Sequence, residues 1–184
     1  MKMRYLFFAI IVSVCLVGCK KKEAKPVVAS TEEVSDSTNY TPDVEMIKDF
    51  TMTSVDGKQI SLKDEVAKHE ITIVDFWASW CGPCMHEVPN LVSLYNKYKD
   101  SGLGIVGISL DEDADSWKSA IEENKMSWTQ LSDLQGWDNA AARLYGVESI
   151  PHILVVNKKG EIIAKDLRGE DLKSCIEDQQ FCEN

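Results

Sequence analysis

The most constraining feature of the sequence is a buried strand that leads directly into a cysteine pair at the start of a helix. Residues 71–77 form a nearly continuous apolar run, which is typical of a strand covered on both faces of a sheet. Cys81 and Cys84 follow closely, and apolar residues then recur at helical spacing from Val88 to Tyr98. This order predicts an α/β domain in which the two cysteines lie where the strand meets the helix.

The rest of the globular part alternates between strand and helix patterns. Asp56-Gly57 between two short β-like runs indicates a hairpin, and residues 157–160 indicate a second one. Together these patterns predict an α/β fold with a central mixed sheet flanked by helices. The further predicted elements are a hairpin from residues 49–53 and 59–62, a strand over 103–110, helices over 117–124 and 138–145, a hairpin from 153–156 and 161–165, and a helix over 172–179.

A cysteine at the start of a helix is well placed for thiol chemistry. The unpaired backbone N–H groups and the helix dipole favour negative charge there, so the pKa of the Cys81 thiol should fall and its thiolate should act as a nucleophile. Cys84 follows one turn later, near enough to attack Cys81 and close a disulfide. Pro83 is compatible with this position because a residue in the first helical turn needs no partner for its N–H.

Three other uses of a cysteine pair at this spacing fit the residues less well. A zinc site needs two more ligands, and Cys175 and Cys182 do not have the spacing of a second zinc knuckle. Covalent haem attachment needs a histidine directly after the second cysteine, where Met85 stands. A purely structural disulfide would close a very small loop and add little stability. Whether Cys175 and Cys182 are bonded to each other stays open, since they can pair only if their helix ends between them.

Residues 80–84, Trp-Cys-Gly-Pro-Cys, match the thioredoxin active site. The stretch from about residue 46 to residue 178 resembles the TlpA/ResA type of thioredoxin-like proteins, which are extracytoplasmic thiol–disulfide oxidoreductases. The resemblance implies a thioredoxin-like fold with an N-terminal β-hairpin and with the extra helix and strand of the TlpA type inserted before Pro151. It also implies that Cys81 and Cys84 are catalytic and that substrate binds at their neighbours. Those neighbours are Trp80, Gly82, Pro83, Ile150 and Pro151.

Two acidic residues flank the first cysteine at equal distances along the chain. Asp75 lies six residues before Cys81 inside the apolar strand, where burial should raise its pKa. Thioredoxins have a buried acid at this place, which implies that Asp75 exchanges protons with Cys84. Glu87 lies six residues after Cys81, an offset at which ResA-like proteins carry a glutamate that tunes the dithiol. The alternative for Glu87 is a solvated residue favoured by the helix dipole, and which acid moves the proton stays open.

Two prolines and a histidine complete the pattern around the cysteines. Pro89 is predicted to kink the helix that carries Cys84. Thioredoxin-like proteins have a cis proline facing the dithiol, and the resemblance assigns this place to Pro151, whose exposed backbone could pair with a bound peptide. The neighbouring His152 is interpreted as a surface residue, with a position near the thiols as the alternative. Three tryptophans of the insertion are predicted to lie in the core or at its rim: Trp117, Trp128 and Trp137.

The first 45 residues carry a targeting pattern. Lys2 and Arg4 precede a short apolar run that is typical of a secretory signal peptide and short for a membrane span. The run ends in Leu-Val-Gly-Cys at residues 16–19, which resembles a bacterial lipobox and implies cleavage before Cys19 and lipid attachment to it. The predicted organisation is a lipoprotein signal peptide over residues 1–18, a flexible tether over 19–45 and a thioredoxin-like domain over 46–184.

Charge and motifs limit the possible partners. The chain has 20 Lys and Arg residues against 30 Asp and Glu, a net charge of −10, which argues against binding to nucleic acid. The sequence predicts no cofactor and no metal besides the redox-active cysteine pair. Electrons would then come from a membrane dithiol donor. The expected location is extracytoplasmic, with the lipid in a cell-envelope membrane and the domain facing the periplasm.

The resemblance favours a reductase that acts on disulfide-containing envelope proteins, because Gly-Pro between the cysteines and Ile150 before the proline are similar to thioredoxin. Two alternatives within redox chemistry are a disulfide isomerase and a thiol peroxidase. A peroxiredoxin needs a threonine three residues before its reactive cysteine, where Ala78 stands. A non-enzymatic alternative is a tethered module that binds a partner or holds a metal ion.

Overall fold

Residues 44–181 are described by a computed structural model of the protein. The predicted signal peptide, the predicted lipid attachment site Cys19, most of the predicted tether and Cys182 lie outside the described residues. Within the described part, no helix combines the length and the apolar character that crossing a bilayer requires.

The secondary structure alternates along the chain as the pattern predicts. The strands are β1 (Thr51–Thr53), β2 (Gln59–Ser61), β3 (Ile71–Trp77), β4 (Leu103–Ser109), β5 (Thr129–Leu131), β6 (His152–Asn157) and β7 (Ile162–Lys165). The helices are α1 (Leu62–Val66), α2 (Gly82–Tyr98), α3 (Ala114–Glu123), α4 (Ala140–Tyr145) and α5 (Gly169–Phe181), with 3-10 turns over Lys99–Ser101 and Gly136–Asp138.

Five strands form the central sheet in the order β5-β4-β3-β6-β7. β3 is parallel to β4 and β4 to β5, whereas β6 is antiparallel to both β3 and β7. The predicted mixed sheet is therefore confirmed. Antiparallel β1 and β2 form a separate two-stranded sheet, which an isolated bridge between Ser54 and Leu131 connects to β5.

The core lies around β3 and β4, whose residues are all buried. Such strands need apolar side chains on both faces, which explains the continuous hydrophobic run over residues 71–77. Helix α2 packs on this centre through an apolar stripe that contains Val88, Leu91 and Leu94. Burial of one such side chain contributes roughly 1.5–3 kcal/mol of transfer free energy. The rigid strand and the packed helix together fix the connection that carries the two cysteines.

The structure confirms the predicted α/β class and both hairpins, with small changes at the ends of elements. The TlpA-type insertion corresponds to α3 and β5. Pro89 lies inside α2, which continues as helix from Gly82 to Tyr98. Helix α4 ends at Gly146, as predicted, because a φ of 66° suits glycine. Helix α1 was not predicted, since its five residues are too few for a helical period.

Candidate active site

Cys81 and Cys84 form a disulfide at the N-terminus of α2, with their Cα atoms 5.2 Å apart. Cys81 is the N-cap residue of the helix, and its Sγ accepts a hydrogen bond from the backbone N–H of Cys84 at 3.2 Å. Both side chains are largely covered, with Cys81 5% and Cys84 2% exposed. A negative charge on the Cys81 sulfur would meet this N–H group and the positive end of the helix dipole, which is the arrangement that favours a thiolate.

The loop before β6 lies against the disulfide. Its Ile150–Pro151 peptide bond is cis, as the sequence resemblance implies. The carbonyl oxygen of Ile150 lies 3.8 Å from the Sγ of Cys81, so the backbone of this loop borders the more accessible sulfur. A polypeptide that reaches Cys81 must therefore also pass along residues 150–151.

Asp75 lies in the middle of β3, between Gly107 of β4 and Ile153 of β6 in the strand register. It is 2% exposed, and its Oδ1 has no hydrogen-bond partner. Burial raises the pKa of Asp75 from 3.8 to about 7, with a further rise from the negative charge of Glu87 and an opposing effect of the Arg168 cation. A carboxyl group with this pKa can both accept and return a proton near neutral pH.

Glu87 points from α2 into the protein and is 8% exposed. Its Oε1 accepts hydrogen bonds from the Nδ2 of Asn90 at 2.7 Å and from the backbone N–H of Gly169 at 2.9 Å. The alternative of a solvated surface residue is therefore wrong. Because Gly169 begins α5, the Glu87 carboxylate joins two helices while its charge acts on Asp75.

Arg168 connects the same region to the cis-proline loop. Its guanidinium donates a hydrogen bond to the carbonyl oxygen of Pro151 at 2.6 Å, and its positive charge lowers the pKa of Asp75. The topology explains this position. β7 runs antiparallel to β6, so the chain after β7 returns to the sheet edge where Pro151 precedes β6.

A buried carboxylate orders the connection between β3 and α2. Asp111 accepts hydrogen bonds from the backbone N–H of Ser79 at 3.1 Å, from the hydroxyl of Ser79 at 2.5 Å and from the hydroxyl of Ser109 at 2.6 Å. Each bond is charge-assisted and thus stronger than a bond between neutral groups. Ser79, two positions before Cys81, is therefore hydrogen-bonded to the residues that end and follow β4.

Two exposed indoles line the same cleft as Asp111. Trp80 is 56% and Trp137 is 47% exposed, and their ring centroids are 6.3 Å apart. Trp137 belongs to the rim, whereas the other two tryptophans of the insertion, Trp117 and Trp128, are buried. Trp80 directly precedes Cys81, so a molecule that contacts its ring also lies near the reactive sulfur.

Residues 44–165, more than half of the chain, match the AhpC/TSA family. The chain belongs to the AhpC/TSA family. ResA of Bacillus cereus, named a thiol-disulfide oxidoreductase, is 29% identical over 178 residues, which cover 97% of this chain and 96% of ResA. The thioredoxin domain of a thiol-disulfide oxidoreductase from Bacteroides vulgatus is 36% identical with a TM-score of 0.67, over 73% of this chain and 94% of that one. A thiol-disulfide oxidoreductase from Bacteroides fragilis is 29% identical with a TM-score of 0.68, over 73% of this chain and 98% of that one.

This AhpC/TSA family member is thus a thioredoxin-like thiol–disulfide oxidoreductase with a Cys81–Cys84 pair. The structure brings most of the predicted site residues together around that pair. Cys81 and Cys84, with Gly82 and Pro83 between them, stand at the start of α2, and Ile150 borders Cys81. Cys19, the predicted lipid attachment site, lies outside the described residues.

Two further residues that the sequence analysis considered are His152 and Cys175. The Nδ1 of His152 lies 2.8 Å from the Oδ1 of Asp166, and its ring packs on Phe76. Cys175 is half-buried on α5, and burial raises the pKa of its thiol. Whether Cys175 is bonded to Cys182 stays open, because Cys182 lies outside the described residues. Among residues 44–181, no three His, Cys, Asp or Glu side chains are grouped as metal ligands.

Sequence reasoning missed Arg168, Asp111 and Ser79. An exposed arginine in a loop carries no local signal, and only the antiparallel return of β7 places it beside Pro151. Asp111 follows directly after a buried strand, which could have marked it as a residue at the carboxyl edge of the sheet.

Proposed function

We propose that the protein is a membrane-tethered, extracytoplasmic oxidoreductase that reduces disulfides of envelope proteins with the Cys81–Cys84 dithiol. The observation that carries this proposal is the position of Cys81, at a helix N-terminus and 3.8 Å from the carbonyl oxygen of the cis-proline loop. The names of the relatives support thiol–disulfide exchange as the chemistry. The proposed direction of the reaction, reduction of the substrate, rests on Gly82, Pro83 and Ile150, which are similar to the corresponding residues of thioredoxin, a reductant.

The reaction begins with the reduced protein. The Cys81 thiolate attacks one sulfur of the substrate disulfide, the substrate S–S bond breaks, and one substrate thiolate leaves. Cys84 then gives its proton to the Asp75 carboxylate and attacks the sulfur of Cys81. The mixed disulfide breaks, the second substrate thiolate leaves, and the Cys81–Cys84 disulfide seen in the structure forms. Two electrons pass to the substrate, whose thiolates take up protons, and a membrane dithiol donor restores the protein.

Glu87 and Arg168 adjust this proton transfer through their opposite charges near Asp75. Glu87 makes the carboxyl hold its proton more tightly, whereas Arg168 favours the ionised form that accepts a proton from Cys84. We assign the main proton transfer to Asp75, because it is the carboxyl whose pKa lies at about 7. The substrate backbone would lie along Ile150 and Pro151, with Trp80 beside it.

The tether is proposed from the sequence pattern at residues 16–19. Lipidation of Cys19 would hold the domain at an envelope membrane through residues 19–45, with the domain in the periplasm. A Cys19→Ser variant should then leave the membrane fraction, and intact-mass measurement of the wild-type protein should show the lipid. Recovery of wild type and variant in the same soluble fraction would remove the tether from the proposal.

The decisive experiment traps the substrate in the native host. A Cys84→Ser variant cannot resolve the mixed disulfide, so substrate proteins should stay attached to Cys81 and be identified by mass spectrometry. The Cys81→Ser variant is the matched control and should trap nothing. A redox titration tests the direction, since reductants of this type lie near roughly −270 mV and strong envelope oxidants near roughly −120 mV. A potential close to the oxidant value, or peroxide consumption that depends on Cys81, would overturn the reductase assignment.

A further inference from the structure

A cleft of about 330 Å³ opens at Ser79 and Trp80, the two residues that directly precede Cys81. Its walls come from three separate segments: residues 79–80 before Cys81, residues 110–113 with Ser116 after β4, and Gly136 and Trp137 of the second 3-10 turn. The mechanism described above uses only the first of these segments. The other two belong to the region between β4 and α4, which does not take part in the cysteine chemistry.

The aromatic part of the cleft consists of Trp80 and Trp137. Large apolar side chains are normally buried, and within residues 44–181 these two are the only aromatic residues among the exposed large hydrophobic ones. Their rings lie at 52° to each other, so the two π faces form an open angle and do not cover each other. Such a surface offers binding area for a flat or elongated side chain without further ordering of the protein.

The polar part of the cleft is anionic. Asp111, Glu112 and Asp113 line it, and none of them forms an ion pair with a basic side chain of the described residues. Asp113 caps α3 by accepting the N–H of Ser116, and hydrogen bonds from the side chain and the backbone N–H of Ser116 lower the pKa of Asp113 and keep it charged. The exposed Glu112 has no ion-pair partner among residues 44–181.

The carboxylate of Glu112 reaches across to the segment that carries Trp137. A Cβ atom on Gly136 would lie 2.4 Å from the Oε1 of Glu112, so this close approach requires glycine there, as does the φ of 55°. The Glu112 carboxylate thus lies against Gly136, and the exposed indole belongs to the next residue, Trp137. The side chain that matches both is a guanidinium or an ammonium group, which can stack on an indole face and pair with a carboxylate.

We propose that this cleft binds an arginine or lysine that flanks the disulfide cysteine of a substrate polypeptide. The inference rests on the proposed function and narrows its substrate class to disulfides in cationic segments. The net charge of −10 acts in the same direction, since it attracts cationic polypeptides and repels acidic ones. An acidic flanking residue would be repelled by the exposed carboxylates of Glu112 and Asp113 and gain nothing from the indoles.

The test compares three disulfide peptides that differ only in the residues beside the cysteine: arginine, glutamine or glutamate. With the wild-type protein, kcat/KM should follow the order Arg, Gln, Glu, with roughly tenfold between the first and the second. The ratio of kcat/KM for the arginine peptide to kcat/KM for the glutamine peptide should decrease at high salt, because exposed charges are screened. In Glu112→Gln and Trp137→Gln the preference for arginine should fall several-fold. Glu122→Gln, an exposed carboxylate on α3 outside the cleft, is the matched control and should keep the wild-type ratio.

Each ratio is measured on one protein preparation, so partial unfolding of a variant does not change it. Equal kcat/KM values for the three peptides, or an unchanged ratio in both cleft variants, would overturn the cationic specificity and leave the reductase function standing. Failure to reduce any of the peptides with both cysteines intact would instead count against the proposed function itself.

Discussion

The guanidinium of Arg168 donates a hydrogen bond to the carbonyl oxygen of Pro151, and the next residue, Gly169, donates its N–H to the carboxylate of Glu87. Two consecutive residues at the start of α5 therefore hold both the cis-proline loop and helix α2. These are the two elements between which Cys81 lies. Arg168 and Glu87 also shift the pKa of Asp75 in opposite directions. The two side chains that order the loop and the helix therefore also set the proton affinity of Asp75.

Replacement of Arg168 by methionine should raise the pKa of Asp75 above its value of about 7, because the positive charge that lowers this pKa is lost. The titration of the Asp75 carboxyl carbon by NMR, in the oxidised protein, measures this directly. Arg168→Lys retains the charge and should restore most of the shift. Arg143→Met, which removes an exposed arginine paired with Asp138, serves as the control. An Asp75 pKa that is the same in Arg168→Met and wild type would show that the charge of Arg168 has no influence.

Replacement of Glu87 by glutamine should have the opposite effect and lower the pKa of Asp75. The negative charge of Glu87 raises it in the wild type, and glutamine keeps the size of the side chain and an oxygen that can accept the N–H of Gly169. In the pH dependence of disulfide reduction, the rise in rate should move to lower pH, since Asp75 ionises earlier. A rise displaced to higher pH would contradict the assignment of the two carboxyl groups.

The buried Asp75 should make the oxidised protein less stable as pH rises. The folded state keeps its proton up to about pH 7, while the unfolded state loses it near 3.8, so the unfolded state binds fewer protons in this window. The protonated Asp75 contributes to the free energy of unfolding in full below about pH 4. This contribution, on the order of 4 kcal/mol, is lost between about pH 4 and 7.

Asp75→Asn cannot ionise and should remove this slope. Urea denaturation at pH 4.5, 6 and 8 should therefore show the variant gaining stability relative to wild type with each step in pH, by a few kcal/mol at pH 8. Asp100→Asn, at an exposed carboxylate of the 3-10 turn after α2, is the control and should follow the wild-type curve. A difference between Asp75→Asn and wild type that is constant with pH would rule out a raised pKa for Asp75.

Local patterns were enough to predict the parts of the site that are close in sequence. The apolar run over residues 71–77 predicts a strand buried on both faces, and a carboxylate at position 75 of such a strand must itself be buried. Helical spacing after Cys84 places both cysteines at the helix N-terminus. Each of these inferences needs only the period of one element, which the side chains of that element determine.

The parts that the sequence could not predict depend on contacts between distant segments. Glu87 is buried because α5 packs against α2 and Gly169 supplies a donor, and no pattern within α2 indicates this. Arg168 reaches Pro151 only through the antiparallel return of β7. Trp137 is exposed beside Trp80 because the 3-10 turn Gly136–Asp138 comes close to residues 110–113, a contact between loops that have no period at all.

Gly107 offers a test of how tightly the sheet beside Asp75 is packed. A Cβ at this position would lie 2.2 Å from the Oε1 and 2.8 Å from the Cδ of Gln130, whose side chain is 1% exposed. That oxygen accepts a hydrogen bond from the indole N–H of Trp77 at 3.1 Å, so Gln130 cannot move aside without leaving a buried donor unpaired. Gly107→Ala should therefore destabilise the protein by roughly 2–4 kcal/mol, from overpacking and the lost hydrogen bond.

Gly82→Ala provides the matched control for Gly107→Ala. A Cβ on Gly82 has nothing within 4 Å, and alanine in the first turn of α2 should leave stability unchanged or raise it by up to about 1 kcal/mol. Thermal and urea denaturation of the two oxidised variants at one pH measures both effects. The near-ultraviolet circular dichroism of Trp77 should change in Gly107→Ala alone, because only there does the indole lose its partner. Equal stability of the two variants would mean that Gln130 can rearrange freely, and the sheet beside Asp75 would then be less rigid than its contacts indicate.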